Sequence, residues 1–211
     1  LEALKSAPAA PDYKGAIKVT DTINAAQLKA INDATTGKIT LTNLTHALNG
    51  TAATLADALD GITGYKGNVR VSNAVDAEQL LTINKATSGV ITLDVKTGNL
   101  EASAKDLIAA LDGITGYTGD LTIALNSPAA TLAQLKTLNG LTSGDLVLDA
   151  LSAQTDYSGK ASDILAAFEG VAGYTGTLTV TGAYTVADIT ALEALPLPYV
   201  LSNKAQALTV D

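Results

Sequence analysis

Along this chain hydrophobic and polar residues alternate in short bursts, and between the bursts apolar residues return at intervals of three and four. Ile17 and Val19 flank Lys18, Val69 and Val71 flank Arg70, Leu121 and Ile123 flank Thr122, and Leu178 and Val180 flank Thr179. A period of two puts every second side chain on a buried face, so each burst predicts a short strand with one face covered. Ile39 with Leu41, Ile91 with Leu93 and Leu146 with Leu148 add three more, and the stretch near Tyr199 to Ser202 an eighth.

The intervening segments predict short helices of two classes. In the first, a capping residue stands three positions before a Gln or Asp, and two apolar residues follow. The copies are Asn24 and Gln27 with Leu28 and Ile31; Asp76 and Gln79 with Leu80 and Ile83; Thr131 and Gln134 with Leu135 and Leu138; Thr185 and Asp188 with Ile189 and Leu192. This spacing lets the two polar side chains satisfy the unpaired amides of the first turn. In the second class an apolar stripe runs at i, i+4 and i+7: Leu55, Leu59, Ile62; Leu107, Leu111, Ile114; Ile164, Phe168, Val171.

Second-class helices run into a recurring turn. Gly64-Tyr65-Lys66-Gly67 opens the strand at 69, and the pattern returns as Gly116-Tyr117-Thr118-Gly119 and Gly173-Tyr174-Thr175-Gly176, with an earlier copy at Asp12-Tyr13-Lys14-Gly15. First-class helices exit through Thr36-Gly37, Ser88-Gly89 and Ser143-Gly144; the fourth has Pro196-Leu197-Pro198 instead, as a capping unit would. Leu1 to Ala10 reads as the remnant of a helix from a preceding unit.

Strand starts near 16, 38, 68, 90, 120, 145, 177 and 199 lie 22 to 32 residues apart. Strand, helix, strand at such spacing demands parallel neighbours with right-handed crossovers. The expected architecture is α/β: a right-handed solenoid with about eight parallel strands in one sheet and short helices on the other side. Residues 1–211 would form a single repeat domain, a fragment of a longer array, with a 52-residue double repeat.

Ile39-x-Leu41-x-Asn43 and Val69-x-Val71-x-Asn73, each followed by a helix, resemble leucine-rich-repeat strands, whose asparagine bonds backbone groups between coils. The other strands lack that Asn, and the unit is longer than a single repeat of that family. Phrases such as Gln27-Leu28-Lys29-Ala30-Ile31-Asn32-Asp33-Ala34-Thr35-Thr36-Gly37-Lys38-Ile39-Thr40-Leu41 also resemble repeats of very long secreted or surface-layer-type bacterial proteins. That resemblance implies exported surface structure and brings no catalytic residue with it.

Composition narrows the field. Aromatics are 4% of the chain and tryptophan is absent, so the core must be built from Leu, Ile, Val and Ala. A net charge of −8, with 13 basic residues scattered singly, argues against nucleic acid, which needs a concentrated basic face. No run of apolar residues is long enough to span a bilayer, so no membrane insertion is expected. The absence of cysteine excludes disulfides and thiolate metal sites. It also tilts the reading toward an extracellular or cell-surface setting.

Candidate chemistry is sparse. His46 is the sole histidine, which restricts any Ser/His/Asp arrangement to its surroundings and excludes a multi-histidine metal site; a surface or loop-packing role is the simpler reading. Glycine turns without a Walker lysine and serine offer no phosphate cradle. Asp94 and Asp149 are expected at equivalent outward positions two strands apart. That is roughly 10 Å, too far for one calcium ion whose ligands lie within about 2.6 Å, so solvation is favoured over calcium. Tyr65, Tyr117 and Tyr174 read as rings packed over their turns with hydroxyls in water, and Asp60-Gly61 and Asp112-Gly113 as helix-end turns.

One surface has a pattern of its own. The outward sheet face should carry a central column of Lys18, Thr40, Arg70, Thr92, Thr122, Val147 and Thr179, beside Thr20, Thr42, Ser72, Asp94, Ala124, Asp149 and Thr181. These observations predict a protein without catalytic residues, cofactor or metal: a structural or adhesive module whose partners are neighbouring repeats of the same parent chain. The alternative is a solenoid that holds other proteins or glycans on its sheet face. A third reading, an ice-binding threonine face, is opposed by the charges of Lys18, Arg70, Asp94 and Asp149.

Overall fold

The computed structural model describes residues 13–125, 127–205 and 208. The helix expected over Leu1 to Ala10 lies outside them. The described residues contain eleven strands: β1 (Ile17–Val19), β2 (Ile39–Leu41), β3 (Leu48–Gly50), β4 (Val69–Val71), β5 (Ile91–Leu93), β6 (Leu100–Ala102), β7 (Leu121–Ile123), β8 (Leu146–Val147), β9 (Tyr157–Gly159), β10 (Leu178–Val180) and β11 (Tyr199–Leu201). Eight helices alternate with them: α1 (Ala25–Asp33), α2 (Ala52–Leu59), α3 (Ala77–Ala86), α4 (Ala104–Ala110), α5 (Leu132–Leu141), α6 (Ala150–Gln154), α7 (Ala161–Phe168) and α8 (Val186–Ala194).

All pairings are parallel, in four small sheets of order β1-β2, β3-β4-β5, β6-β7-β8 and β9-β10-β11. Every strand predicted from alternation is present. Three more, β3, β6 and β9, fall in stretches that lack alternation, and each pairs with the strand that follows it in the chain. The chain clusters into two compact units. One comprises Leu1–Gly98 with Ala109–Ile114, the other Asn99–Ile108 with Thr115–Asp211. The first unit holds the β1-β2 and β3-β4-β5 sheets, the second the remaining two.

Local chemistry accounts for the helix starts. Asn24, Asp76, Thr131 and Thr185 are the N-caps of α1, α3, α5 and α8, and all four capping boxes close in both directions. In α1 the Gln27 amide donates to Asn24 Oδ1 over 2.9 Å while the Asn24 amide donates to Gln27 Oε1 over 3.0 Å. Such a cap is worth about 1 kcal/mol, which matters for helices too short to persist alone. Thr51 caps α2 and Ser103 accepts the Asp106 amide at the start of α4.

The second-class helices bury the stripe their spacing predicts. Leu55, Leu59, Leu107, Leu111, Ile164 and Phe168 are all buried, each contributing on the order of 1.5–3 kcal/mol of transfer free energy. Each helix then leaves through two glycines with positive φ, Gly61 (69°) and Gly64 (73°) in the first copy. That conformation costs a side chain dearly and glycine nothing. Between them Ile62 turns back into the core, as Ile114 and Val171 do in the other copies.

Two expectations are corrected here. The hydroxyls of Tyr65 and Tyr174 do not reach water: the rings are buried, and the hydroxyls donate to the carbonyls of His46 and of Thr155, the latter over 2.9 Å. Those carbonyls belong to the segments leading into β3 and β9, which bring chain over the rings. Asp149 is not outward and solvated. It is buried as the N-cap of α6, which starts immediately after β8, and it accepts the amides of Leu151 and Ser152.

Candidate functional site

The central residues of the strands are the side chains that alternation leaves facing outward. Lys18, Thr40, Arg70, Thr92, Thr122 and Thr179 occupy such middle positions, and Val147, the second residue of the two-residue β8, stands in register with Thr122. Lys18 lies opposite Thr40, Arg70 opposite Thr92, and Thr122 opposite Val147. The unforeseen strands change the remaining neighbours: Arg70 has Asn49 on its other side, Thr122 has Glu101, and Thr179 sits between Ser158 and Val200.

Chemically the outward strand positions differ between the two units. In the first, Arg70 Nε donates to Asp94 Oδ1 over 2.9 Å, and the carboxylate holds the guanidinium in its charged form, raising its pKa. Asn49 and Thr92 flank Arg70 in its sheet, and Lys18 and Thr40 hold the outward positions of the β1-β2 sheet, all polar and exposed. The second unit places apolar side chains in register with Thr122 and Thr179: Val147 on β8 is 46% exposed and Val200 on β11 is 45% exposed.

On the helix side of the first unit lies an open groove of about 630 Å³, lined by residues of α1, α2 and α3 with their flanks. Lys29 bridges Asp33 and Asp57 there at 2.9 and 2.8 Å, and the hydrogen bond to Asp57, then that to Asp33, raises the lysine pKa. Asp60, Asp76 and Glu78 make the remainder acidic. Among the described residues no group of three or more His, Cys, Asp or Glu side chains is arranged to hold a metal ion. His46 is exposed in the loop before β3, and what it contributes is the carbonyl that receives Tyr65. No described helix is long and apolar enough to cross a membrane.

The most regular polar chemistry joins successive coils. Asn32 donates through Nδ2 to the carbonyls of Asp57 (2.7 Å) and Asp60 (2.9 Å) at the end of α2. Asn84 does the same to Ala110 and Asp112, and Asn139 to Ala166 and Glu169. The last carbonyls of a helix have no partner of their own, so one amide satisfies two of them. A second link runs the other way. Thr35, Thr87 and Thr142 donate through Oγ1 to carbonyls of the preceding turn at Tyr13, Gly67 and Gly119, and each hydroxyl accepts the amide of Gly37, Gly89 or Gly144.

The sequence reading missed all six residues, although a signal exists: they stand eight and eleven positions after the N-caps Asn24, Asp76 and Thr131. Of the two asparagines behind the leucine-rich-repeat resemblance, Asn73 bonds a neighbouring coil's backbone, accepting the Ala52 amide at 2.7 Å. Asn43 instead meets the Thr22 hydroxyl and its own loop at Thr45.

The molecule is thus an α/β protein of repeated strand and helix units in small parallel sheets. Compared with protein-family models, with curated proteins and with solved structures, the chain gives no match.

Proposed function

We propose that this chain is a non-catalytic structural or adhesive repeat module of a large extracellular or cell-surface protein, its coils continuing one another as a right-handed, leucine-rich-repeat-like solenoid. The observation that carries the reading is Tyr13. It occupies the same turn position as Tyr65, Tyr117 and Tyr174, which are 1%, 2% and 5% exposed beneath a preceding segment, yet Tyr13 is 53% exposed. A repeat docked ahead of β1 would cover that ring as the internal coils cover theirs. Support also comes from the links between coils, which serve stacking.

The experiment is to raise an antibody against this chain, fractionate the source cells, and read the compartment and the size of the parent polypeptide. A very long chain in the envelope or medium is the expected result. A short cytoplasmic chain would overturn the proposal.

A second reading, that the sheet face holds a protein or glycan, is favoured by Val147 and Val200, whose exposed apolar side chains stand where the other strands place polar or charged residues. Charge reversal at Lys18 and Arg70, bulky replacements at Thr92 and Thr122, and Val147→Lys with Val200→Lys should then abolish capture of the ligand while circular dichroism stays unchanged. Full retention of binding in all these variants would sink it.

A further inference from the structure

The position eight residues after each first-class N-cap is Asn32, Asn84 and Asn139 in the first three repeats and Glu193 in the fourth. The three asparagines each place an amide nitrogen between two carbonyl oxygens at the end of the next helix. A carboxylate at that place has only acceptors to offer. Facing two carbonyls, and the negative end of a helix dipole besides, it would repel the incoming helix and leave its last carbonyls unpaired.

From this we infer that the residue at this position decides whether another repeat can dock, and that Glu193 makes α8 the terminal helix of its row. The substitution is not isolated. Leu195-Pro196-Leu197-Pro198 replaces the Thr-x-Gly exit, so the hydroxyl and glycine amide that lock the other exits are gone. The stretch from N-cap to strand is also one residue shorter than the 15 of the other three repeats, which changes how a helix laid on α8 would meet the next strand. Glu193 itself is exposed, and Leu192 is the buried residue of α8.

In the repeat-array proposal this gives the array a direction: it can be extended ahead of β1 but not beyond α8. That meaning rests on the array reading, while the docking rule is a property of this chain alone. A short cytoplasmic parent would remove the first and leave the second standing.

The test uses the full chain and the isosteric pair Asn139→Gln and Asn139→Glu. Both side chains have one methylene more than Asn, so they share any packing cost and differ in donor and charge. At pH 7 the Glu variant should melt at least ~4 °C below the Gln variant. The gap should narrow as the pH falls below about 4, where a protonated carboxyl regains a donor. Equal melting at pH 7, or a gap that acid does not narrow, would overturn the rule. Asn32→Gln and Asn32→Glu repeat the comparison should the Asn139 variants fail to fold. Glu193→Gln should leave the melting temperature within ~1 °C, since Glu193 is exposed and the described residues hold no helix after α8; a fall of several degrees would show that Glu193 already serves a partner, and would overturn the terminal assignment.

Discussion

At the level of single residues, the coils are held at their turns by backbone passing very close to backbone, and glycine is what permits it. A methyl group on Gly89 would fall inside the van der Waals shell of the Gly67 carbonyl, beside the Thr87 hydroxyl that already bonds both. Gly89→Ala should therefore cost about 1–3 kcal/mol and lower the melting temperature by several degrees in a thermal scan. Gly140 makes the opposite case. It lies inside α5, and a Cβ there would meet nothing within 4 Å. Gly140→Ala should raise stability by up to ~1 kcal/mol, because it removes unfolded-chain entropy without a clash. Two equal chemical changes, 51 residues apart, are expected to move stability in opposite directions.

At the level of elements, none of the described helices exceeds ten residues, so caps weigh heavily where they form. Asp76→Ala removes the side-chain acceptor for the Gln79 amide and a negative charge from the positive end of α3. It should cost about 1 kcal/mol, read as a lower urea midpoint with an unchanged slope. These elements were legible because each level of the sequence agreed with the others. The box at Asp76 and Gln79, the apolar pair Leu80 and Ile83 and the exit at Ser88-Gly89 all point to one helix. Strands β3, β6 and β9 were not legible. Leu48, Leu100 and Tyr157 each supply a single large apolar residue, followed by Asn49-Gly50, Glu101-Ala102 and Ser158-Gly159, and it is pairing with β4, β7 and β10 that makes them strands. Their absence from the reading misassigned the neighbours of Arg70, Thr122 and Thr179, though not the outward position of these residues. The asparagines at 32, 84 and 139 escaped for a related reason: a polar residue on a helix reads as solvated until the partner helix is in view.

At the level of the whole molecule, a core this poor in aromatic residues concentrates its ionisable burial in tyrosines. Burial raises the phenol pKa of Tyr65 and Tyr157 above the ordinary 10.0, and lifts Tyr117 and Tyr174 to about 12, with Asp120 and Asp156 adding repulsion at the latter two. The folded state therefore keeps these protons after the unfolded chain has begun to release them. Above pH 10 the unfolded state binds fewer protons than the native one, so stability falls as pH rises. This contribution is intact below pH 10 and is lost as pH passes through about 12. A pH titration followed by phenolate absorbance and circular dichroism should accordingly show these four buried phenolates appearing together with a cooperative loss of structure. Tyr174→Phe makes the linkage visible in a single variant. At pH 7 it should cost about 1 kcal/mol, because the Thr155 carbonyl loses its donor. Between pH 10 and 12 its stability should decline less steeply than wild type, because one buried group no longer ionises on unfolding. Parallel pH profiles for the two proteins would show that the alkaline transition arises from the growing net negative charge rather than from the buried phenols.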